Sequence, residues 1–449
     1  LPLDFGAVGD GITDDTAAIQ AAINSGAKAV YVPAATYLVT SLTMPNVFNF
    51  VLYGDGPSST LKQSASATDA TIKWPRISVV YNEQTIRNLG FNATVGTQHS
   101  IDTRGAGGIT CESIYITDVA AGKAGIYSEG VAGVYDHDAR FINIQIYYGS
   151  RAGGFAGIWL GPLSADSEIT SFIMNGGLQI DHCLYLGNGV QSHYISNSHI
   201  YNAKINVLRL AGNNSGIAAS NVCFDWAIED IVYINNTSNL RFTGCRIQAI
   251  KSGYSGIKIV GTGVGYGFVN TMFDGQVGSL SCVSSAITAS GVFVFGGQVP
   301  SVGNFTTPFD LLGADSNARG LAGFSPLGLL FSQSGVQSAA QAQNTTQYLG
   351  SGSSATEANA EYVVPQNCKL TQISIAVNAT PAVGQTFTFQ ARRNGVNIGS
   401  PLVISNGGFS GIITLNESFT KFSQRLTISS VFSTTSGSAT VRWCAEFTA

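Results

Sequence analysis

Charged residues are scarce: Lys, Arg, Asp and Glu together make up 11% of the 449 residues, and the formal net charge is −4. So thin and slightly acidic a balance gives no general basis for holding nucleic acid or an anionic membrane. Proline is also rare (12), and no apolar run approaches the ~20 residues of a membrane-spanning helix. The positive mean hydropathy is therefore expected to reflect a packed interior. Neither a signal peptide nor a start methionine opens the chain at Leu1, so an upstream region is expected to have preceded it. The seven cysteines (111, 183, 223, 245, 282, 368 and 444) form no C-x-x-C pair and no metal-ligand spacing. They read as reduced thiols packed as small hydrophobes, with a disulfide between Cys368 and Cys444 as the alternative.

What is abundant is glycine (53), with short alternating apolar segments. From Asn88 onward one pattern recurs: a turn residue, then alternating positions ending on a large apolar side chain. It runs through Asn88–Phe91, Ser113–Ile116, Asn143–Ile146, Asn197–Ile200, Asn221–Phe224, Gly244–Ile247 and Asn270–Phe273. The spacing is 23–30 residues except for one gap of 54, which holds a further repeat through Met174 to Ile180. A second series is in phase with it: Ile126–Ser128, Ile158–Leu160, Leu184–Leu186, Leu208–Leu210, Val232–Ile234, Ile257–Ile259 and Ile287–Ala289, each with two side chains inward and one outward. Two strand series with one period predict a parallel β-solenoid whose coils bury a core only by stacking.

The first forty residues carry the most specific motif. Leu3-Asp4-Phe5-Gly6-Ala7-Val8-Gly9-Asp10-Gly11 leads into Thr13-Asp14-Asp15-Thr16. Thr13 is expected to cap a helix whose buried stripe is Ile19, Ala22 and Ile23 and which Gly26 ends. Strands at Val30–Pro33 and Tyr37–Val39 follow. A dinucleotide-binding loop is the competing reading, but Gly6, Gly9 and Gly11 lack the G-x-G-x-x-G spacing and lead into acids. This block resembles the N-terminal signature of the pectate-lyase-like superfamily shared by many phage tailspikes, with Ala35 where glycine is usual. The resemblance implies an all-β chain: a right-handed parallel β-helix, capped by an N-terminal helix, followed by a small C-terminal β-sandwich. The expected boundaries are 1–45 for the cap, 46–330 for the β-helix, 331–345 for a Gln/Ser/Ala-rich linker or short helix, and 346–449 for the sandwich, with turns at Asn394-Gly395 and Gly407-Gly408.

The middle residues of the second series form one outward column: Tyr127, Trp159, Tyr185, Arg209, Tyr233, Lys258 and Thr288. Aromatic rings can hold sugar faces and the cations a carboxylate, so the column reads as a polysaccharide groove, with a subunit interface as the alternative. Glycoside cleavage needs two carboxyl groups. Asp181 and Glu229 each lie four residues before a column tyrosine, in coils two apart, and are the first catalytic candidates; Trp226 could supply an apolar wall beside Glu229. Asp166 and Glu168 are the reserve pair, with Glu129 and the Asp136-His137-Asp138 run weaker. A lyase would instead draw on Arg209, Lys258, His182 and Tyr185 to hold a uronate and abstract a proton.

The resemblance implies a tailspike depolymerase of the phage virion: a homotrimer cutting a bacterial capsular or O-antigen polysaccharide outside the host, without cofactor or metal. A polysaccharide lyase and a binding-only adhesin stand as alternatives. Catalytic acids differ in position among such spikes, so none is carried over by motif.

Overall fold

The computed structural model describes residues 1–75, 80–81, 83–131, 136–149, 151–286, 288–300, 304–306, 309–311, 316–319, 329–337, 346–349, 353–354, 362–363, 368–377, 381, 383–405, 408, 410–419, 424–433 and 441–448. They divide into two compact units: Leu1–Gly263 with Thr271–Val283 and Gly303–Pro308, and Val264–Asn270 with Ser284–Val302 and Phe309–Ala449.

At the N-terminus the helix spans Thr16–Ile23 and buries Ile19, Ala22 and Ile23, as the apolar stripe predicts. Its start differs from expectation. Thr13 belongs to the strand Asp10–Asp14, and Asp15 is the residue before the first turn. The Asp15 carboxylate is 1% exposed and turns back instead to accept the Val8 and Gly9 amides at 2.6 and 3.1 Å. Asp14 takes the Thr16 amide at 2.9 Å. Two adjacent acids thus divide the work, because a left-handed Gly9 (φ 73°) leaves two amides facing Asp15. Gln20 has a separate role: its amide group donates to the Thr43 carbonyl and accepts the Thr43 N–H. Thr43 lies on Leu42–Thr43, the edge strand of a parallel sheet, so the helix covers backbone groups that would otherwise template aggregation.

Beyond the cap, each coil contributes a strand to one sheet and, to another, either one strand with a bend inside it (Thr85–Asn92, Thr110–Thr117, Arg140–Tyr147) or two short strands on either side of the bend. The first sheet runs through Leu42–Thr43, Ile72–Lys73, Ile101–Asp102, Ala124–Ser128, Gly154–Leu160, Ile180–Leu186, Asn206–Ser215, Val232–Ser238 and Ile257–Val260, in that spatial order. Ile101, Ile126, Ile158, Leu184, Leu208, Val232 and Ile257 stack in register as its inward column, each fully buried. On the second sheet Phe91, Ile116, Ile146, Met174, Ile200, Phe224 and Ile247 do the same. Burial of each such side chain is worth about 1.5–3 kcal/mol, and only stacking supplies it.

The repeat's turn residue is the bend. Asn88, Ser113, Asn143, Asn197, Asn221 and Gly244 all have φ between 49° and 62°, and Ser171 (φ 54°) supplies the coil hidden in the 54-residue gap. Asparagine tolerates the left-handed region and adds a ladder along it: the Asn143 amide donates to Ser113 Oγ and the Asn221 amide to Asn197 Oδ1.

The second unit includes two antiparallel sheets. Leu329–Gln337, Val441–Thr448, Cys368–Val377 and Ser410–Phe419 pair in one. Thr386–Arg393 and Arg425–Phe432 are central to the other. Ile373, Ile375, Trp443 and Ile413 from the first meet Phe387, Phe389, Ile428 and Phe432 from the second in one core, which is the expected sandwich. Asn394 and Gly395, both at positive φ, form the predicted hairpin turn; Gly407 lies outside the described residues.

Three expectations are corrected. Residues 331–337 are not linker or helix: they lie in the strand Leu329–Gln337, whose Gln and Ser positions pair along Val441–Thr448. Residues 338–345 lie outside the described residues. Cys444 stands opposite Ser374, six residues along the strand from Cys368, roughly 20 Å at strand rise and far outside disulfide reach. In the coil after Ile257–Val260 the strand of the column sheet is Val283–Ser285, Thr288 stands in a turn outside it, and Ile287 lies outside the described residues.

Candidate active site

The register brings the outward column together. Tyr127, Trp159, Tyr185, Arg209, Tyr233 and Lys258 occupy equivalent positions in successive coils, and Asp102 and Lys73 continue the column before Tyr127. The rings serve one another. Tyr127 and Trp159 lie 4.6 Å apart, Phe155 fills between Trp159 and Tyr185 at 4.7 Å from each, and His99 stacks on Tyr127 at 4.7 Å. Tyr127 is only 8% exposed, and burial, with its hydrogen bond to Glu129, raises its phenol well above the usual range. Arg104 lies over the Tyr127 ring and is held by both oxygens of Asp102, while Arg209 lies 4.2 Å over Tyr233. The aromatic content is thus spent largely on packing the sheet's outer face.

The first pair of catalytic candidates sits where that sheet begins. Ile205 N–H donates to the Asp181 carbonyl and Glu229 N–H to the Ile205 carbonyl, so Asp181 and Glu229 stack two coils apart as the spacing predicts. The side chains are less favourable. Asp181 faces Lys204 at 3.4 Å, Glu229 is exposed, and Trp226 lies on the other sheet, 39% exposed, which is no dry wall. The more enclosed carboxyl here is the half-buried Asp230, raised by partial burial although it accepts the Ser255 amide at 2.7 Å. His182 is 4% exposed and lowered to about 3, first by burial and then by Arg209, so it is no surface base.

The reserve pair occupies a cleft. Just ahead of the second sheet each of these coils passes a left-handed residue, and Glu83, Gly108, Asp138, Asp166, Ser192 and Gly216 hold that place in successive coils. The stacking is fixed on both sides of the turn: Asp136 pairs with Ser164 and Arg140 with Glu168, which puts Asp138 beside Asp166. Two residues on, Thr110, Arg140, Glu168, Tyr194 and Ala218 form the first outward column of the next strand. These two columns apart from Ser192 and Gly216, with Asn49, Ile195, Ser196 and Ser220, line a cleft of about 850 Å³. It therefore holds four carboxylates (Glu83, Asp138, Asp166 and Glu168), one guanidinium (Arg140) and one tyrosine ring, Tyr194, which is 59% exposed. Among the described residues no three acids, histidines or cysteines converge closely enough to hold a metal. The side chains of Asp136 and His137 lie outside the described residues.

Arg140, Tyr194 and Glu83 were not singled out from the sequence. A signal was present: Arg140, Glu168 and Tyr194 each precede a buried apolar residue (Phe141, Ile169, Ile195). They lie three residues before the bend on which the repeat was aligned, and so outside the aligned stretch.

Residues 3–246 match the family described as rhamnogalacturonase A/epimerase, pectate lyase-like. Among solved structures, the enzymatically active domain of tailspike protein 2 of bacteriophage CBA120 is similar at TM-score 0.53 and 14% identity, over 100% of this chain and 76% of that one. The A-module of a mannuronan C-5 epimerase from Azotobacter vinelandii is similar at TM-score 0.50 and 16% identity, over 72% of this chain and 98% of that one. No curated protein matches the chain.

Proposed function

Because the chain belongs to the pectate-lyase-like rhamnogalacturonase A/epimerase family, we propose that it is a tailspike-type depolymerase, an endo-acting glycosidase that cuts a bacterial surface polysaccharide in the acidic cleft. The observation that carries this reading is the stacking of carboxylates along an open groove. One carboxyl group must protonate the leaving oxygen and another must attack carbon or activate water. Asp138 and Asp166 lie in neighbouring coils, with backbones about 4.8 Å apart, close to the ~5–5.5 Å of retaining enzymes. Glu83 lies two coils from Asp138 and extends the same row of acids along the groove. Glu168 reaches the same space from the adjoining strand, and Tyr194 offers a ring face to a sugar.

Charge argues for hydrolysis over lyase chemistry. A lyase substrate brings a carboxylate on each reacting unit, and four acids against one Arg140 would repel it. Arg140 can accommodate an occasional acidic substituent. The reading extends to a homotrimeric spike on the phage tail acting outside the host, with the C-terminal sandwich helping to hold the trimer.

The test is cleavage of polymannuronate, polygalacturonate and a panel of purified bacterial capsular and O-antigen polymers, followed by reducing-end release. On the polymer that is cut, Asp166→Asn and Glu168→Gln should each lose ~10²–10⁴-fold in rate while still binding it. Wild-type rates in both variants would remove the cleft and return attention to Asp181 and Glu229. Products with near-ultraviolet absorbance would favour a lyase.

A further inference from the structure

The turn that carries Asp166 rests on a buried histidine. His193, in the following coil, is fully buried. Its Nδ1 accepts the Ser167 N–H at 3.2 Å, and its Nε2 lies 3.1 Å from the Ser164 carbonyl. One nitrogen accepts from an amide, so the other must carry the proton and donate to the carbonyl, which fixes a single neutral tautomer. Burial lowers the group to about 4, in keeping with that neutral form. The ring therefore ties together the residues on both sides of Ala165-Asp166. The rest of the turn hangs on the same coil: Asp166 N–H donates to the Gln191 carbonyl, Gln191 N–H to the Ser164 carbonyl, and Tyr194 N–H to the Ser167 carbonyl. Asp166 itself has φ 51°, a conformation that an unsupported aspartate leaves easily.

We propose that His193 is a positioning residue for the cleft: by clamping Ser164 and Ser167 it holds the left-handed turn that aims the Asp166 carboxylate beside Asp138. This rests on the reading of the cleft as the site of cleavage. His193 touches no substrate; it acts through Asp166.

The variants His193→Phe and His193→Asn separate this role from plain stability. Phe fills the space and makes neither bond, whereas the Asn amide can still accept the Ser167 N–H. Ser316→Ala, in the second unit, is the control, since it removes a comparable buried acceptor from the Val292 amide. With the polymer that the wild-type chain cuts in the panel above, kcat per folded molecule in His193→Phe should fall about 10²-fold, the cost of a ~1 Å misplacement, with KM changing much less. His193→Asn should recover part of the loss, and Ser316→Ala should keep the wild-type kcat. Amide exchange at Ser167 should quicken in His193→Phe. If Asp166→Asn is inactive and folded His193→Phe keeps the wild-type kcat, His193 is structural only and this proposal fails alone. If Asp166→Asn itself cuts at the wild-type rate, the cleft reading fails and takes the positioning role with it.

Discussion

Gly244 occupies the bend position that asparagine or serine fills in most other coils, with φ 62°. A Cβ built there meets nothing within 4 Å, so a substitution changes backbone energetics and solvent contacts without a clash. Its neighbour in the preceding coil is Asn221, because Cys223 pairs with Arg246 and Ser220 with Thr243. Alanine at 244 incurs about 1–2 kcal/mol in the left-handed region. The stiffer unfolded chain returns about 0.4–1 kcal/mol. Gly244→Ala should therefore be less stable than the parent by roughly 0.5–1 kcal/mol. Asparagine enters the region readily and can extend the Asn197–Asn221 ladder, a bond worth about 0.5 kcal/mol at so exposed a place. Gly244→Asn should be neutral to about 1 kcal/mol more stable, putting the two variants about 0.5–2 kcal/mol apart, or roughly 2–30-fold in the unfolding equilibrium. Urea unfolding followed by tryptophan fluorescence measures the order. If alanine equals or exceeds asparagine, the bend does not impose the left-handed conformation, and the physical account of the repeat is wrong.

Acid should weaken the fold in a defined window. His99, His182 and His193 are lowered to about 4, 3 and 4, chiefly by burial. The unfolded chain takes up these protons near pH 6.5 and the folded chain does not, so stability is unaffected above that value and falls as pH drops from 6.5 toward 4. Each histidine contributes a slope of up to about 1.4 kcal/mol per pH unit. Urea midpoints at pH 7 and pH 5 check the direction, and a flat profile would contradict the buried neutral histidines. For the cysteines, the unfolded, unreduced chain should titrate seven thiols with Ellman's reagent. Native Cys111, Cys183, Cys245 and Cys282 should react slowly because they are buried. A result of five thiols would mean that a disulfide forms despite the register of Cys444 opposite Ser374.

The coil was legible in the sequence because its two signals are local and periodic: one left-handed bend residue and alternating apolar side chains at a nearly constant interval. The outward column was legible for the same reason, since strand register converts equal phase into contact, and Tyr127 through Lys258 stack as spaced. What those side chains do was less visible. Whether a Tyr or Trp offers its face to a ligand or packs on its neighbour depends on Phe155 and His99, which lie outside the column. The cleft was half visible. Asp166, Glu168 and Asp138 stood out as acids, but the turns that carry them vary in length between coils, and only the backbone pairing brings them into line. His193 gave no signal at all, because its function lies in two backbone contacts to the coil before it. The boundary at 331 failed because Gln and Ser along Phe331–Gln337 read as linker when their pairing strand lies a hundred residues away.

The measurement that bears most directly on the central claim compares two single changes on one cleaved polymer: Asp166→Asn in the cleft and Glu229→Gln at the start of the column sheet. Reducing-end release should fall ~10²–10⁴-fold in Asp166→Asn with polymer binding retained, and stay at the wild-type rate in Glu229→Gln. The reverse pattern, with Asp166→Asn fully active and Glu229→Gln inactive, would contradict the cleft as the site of cleavage.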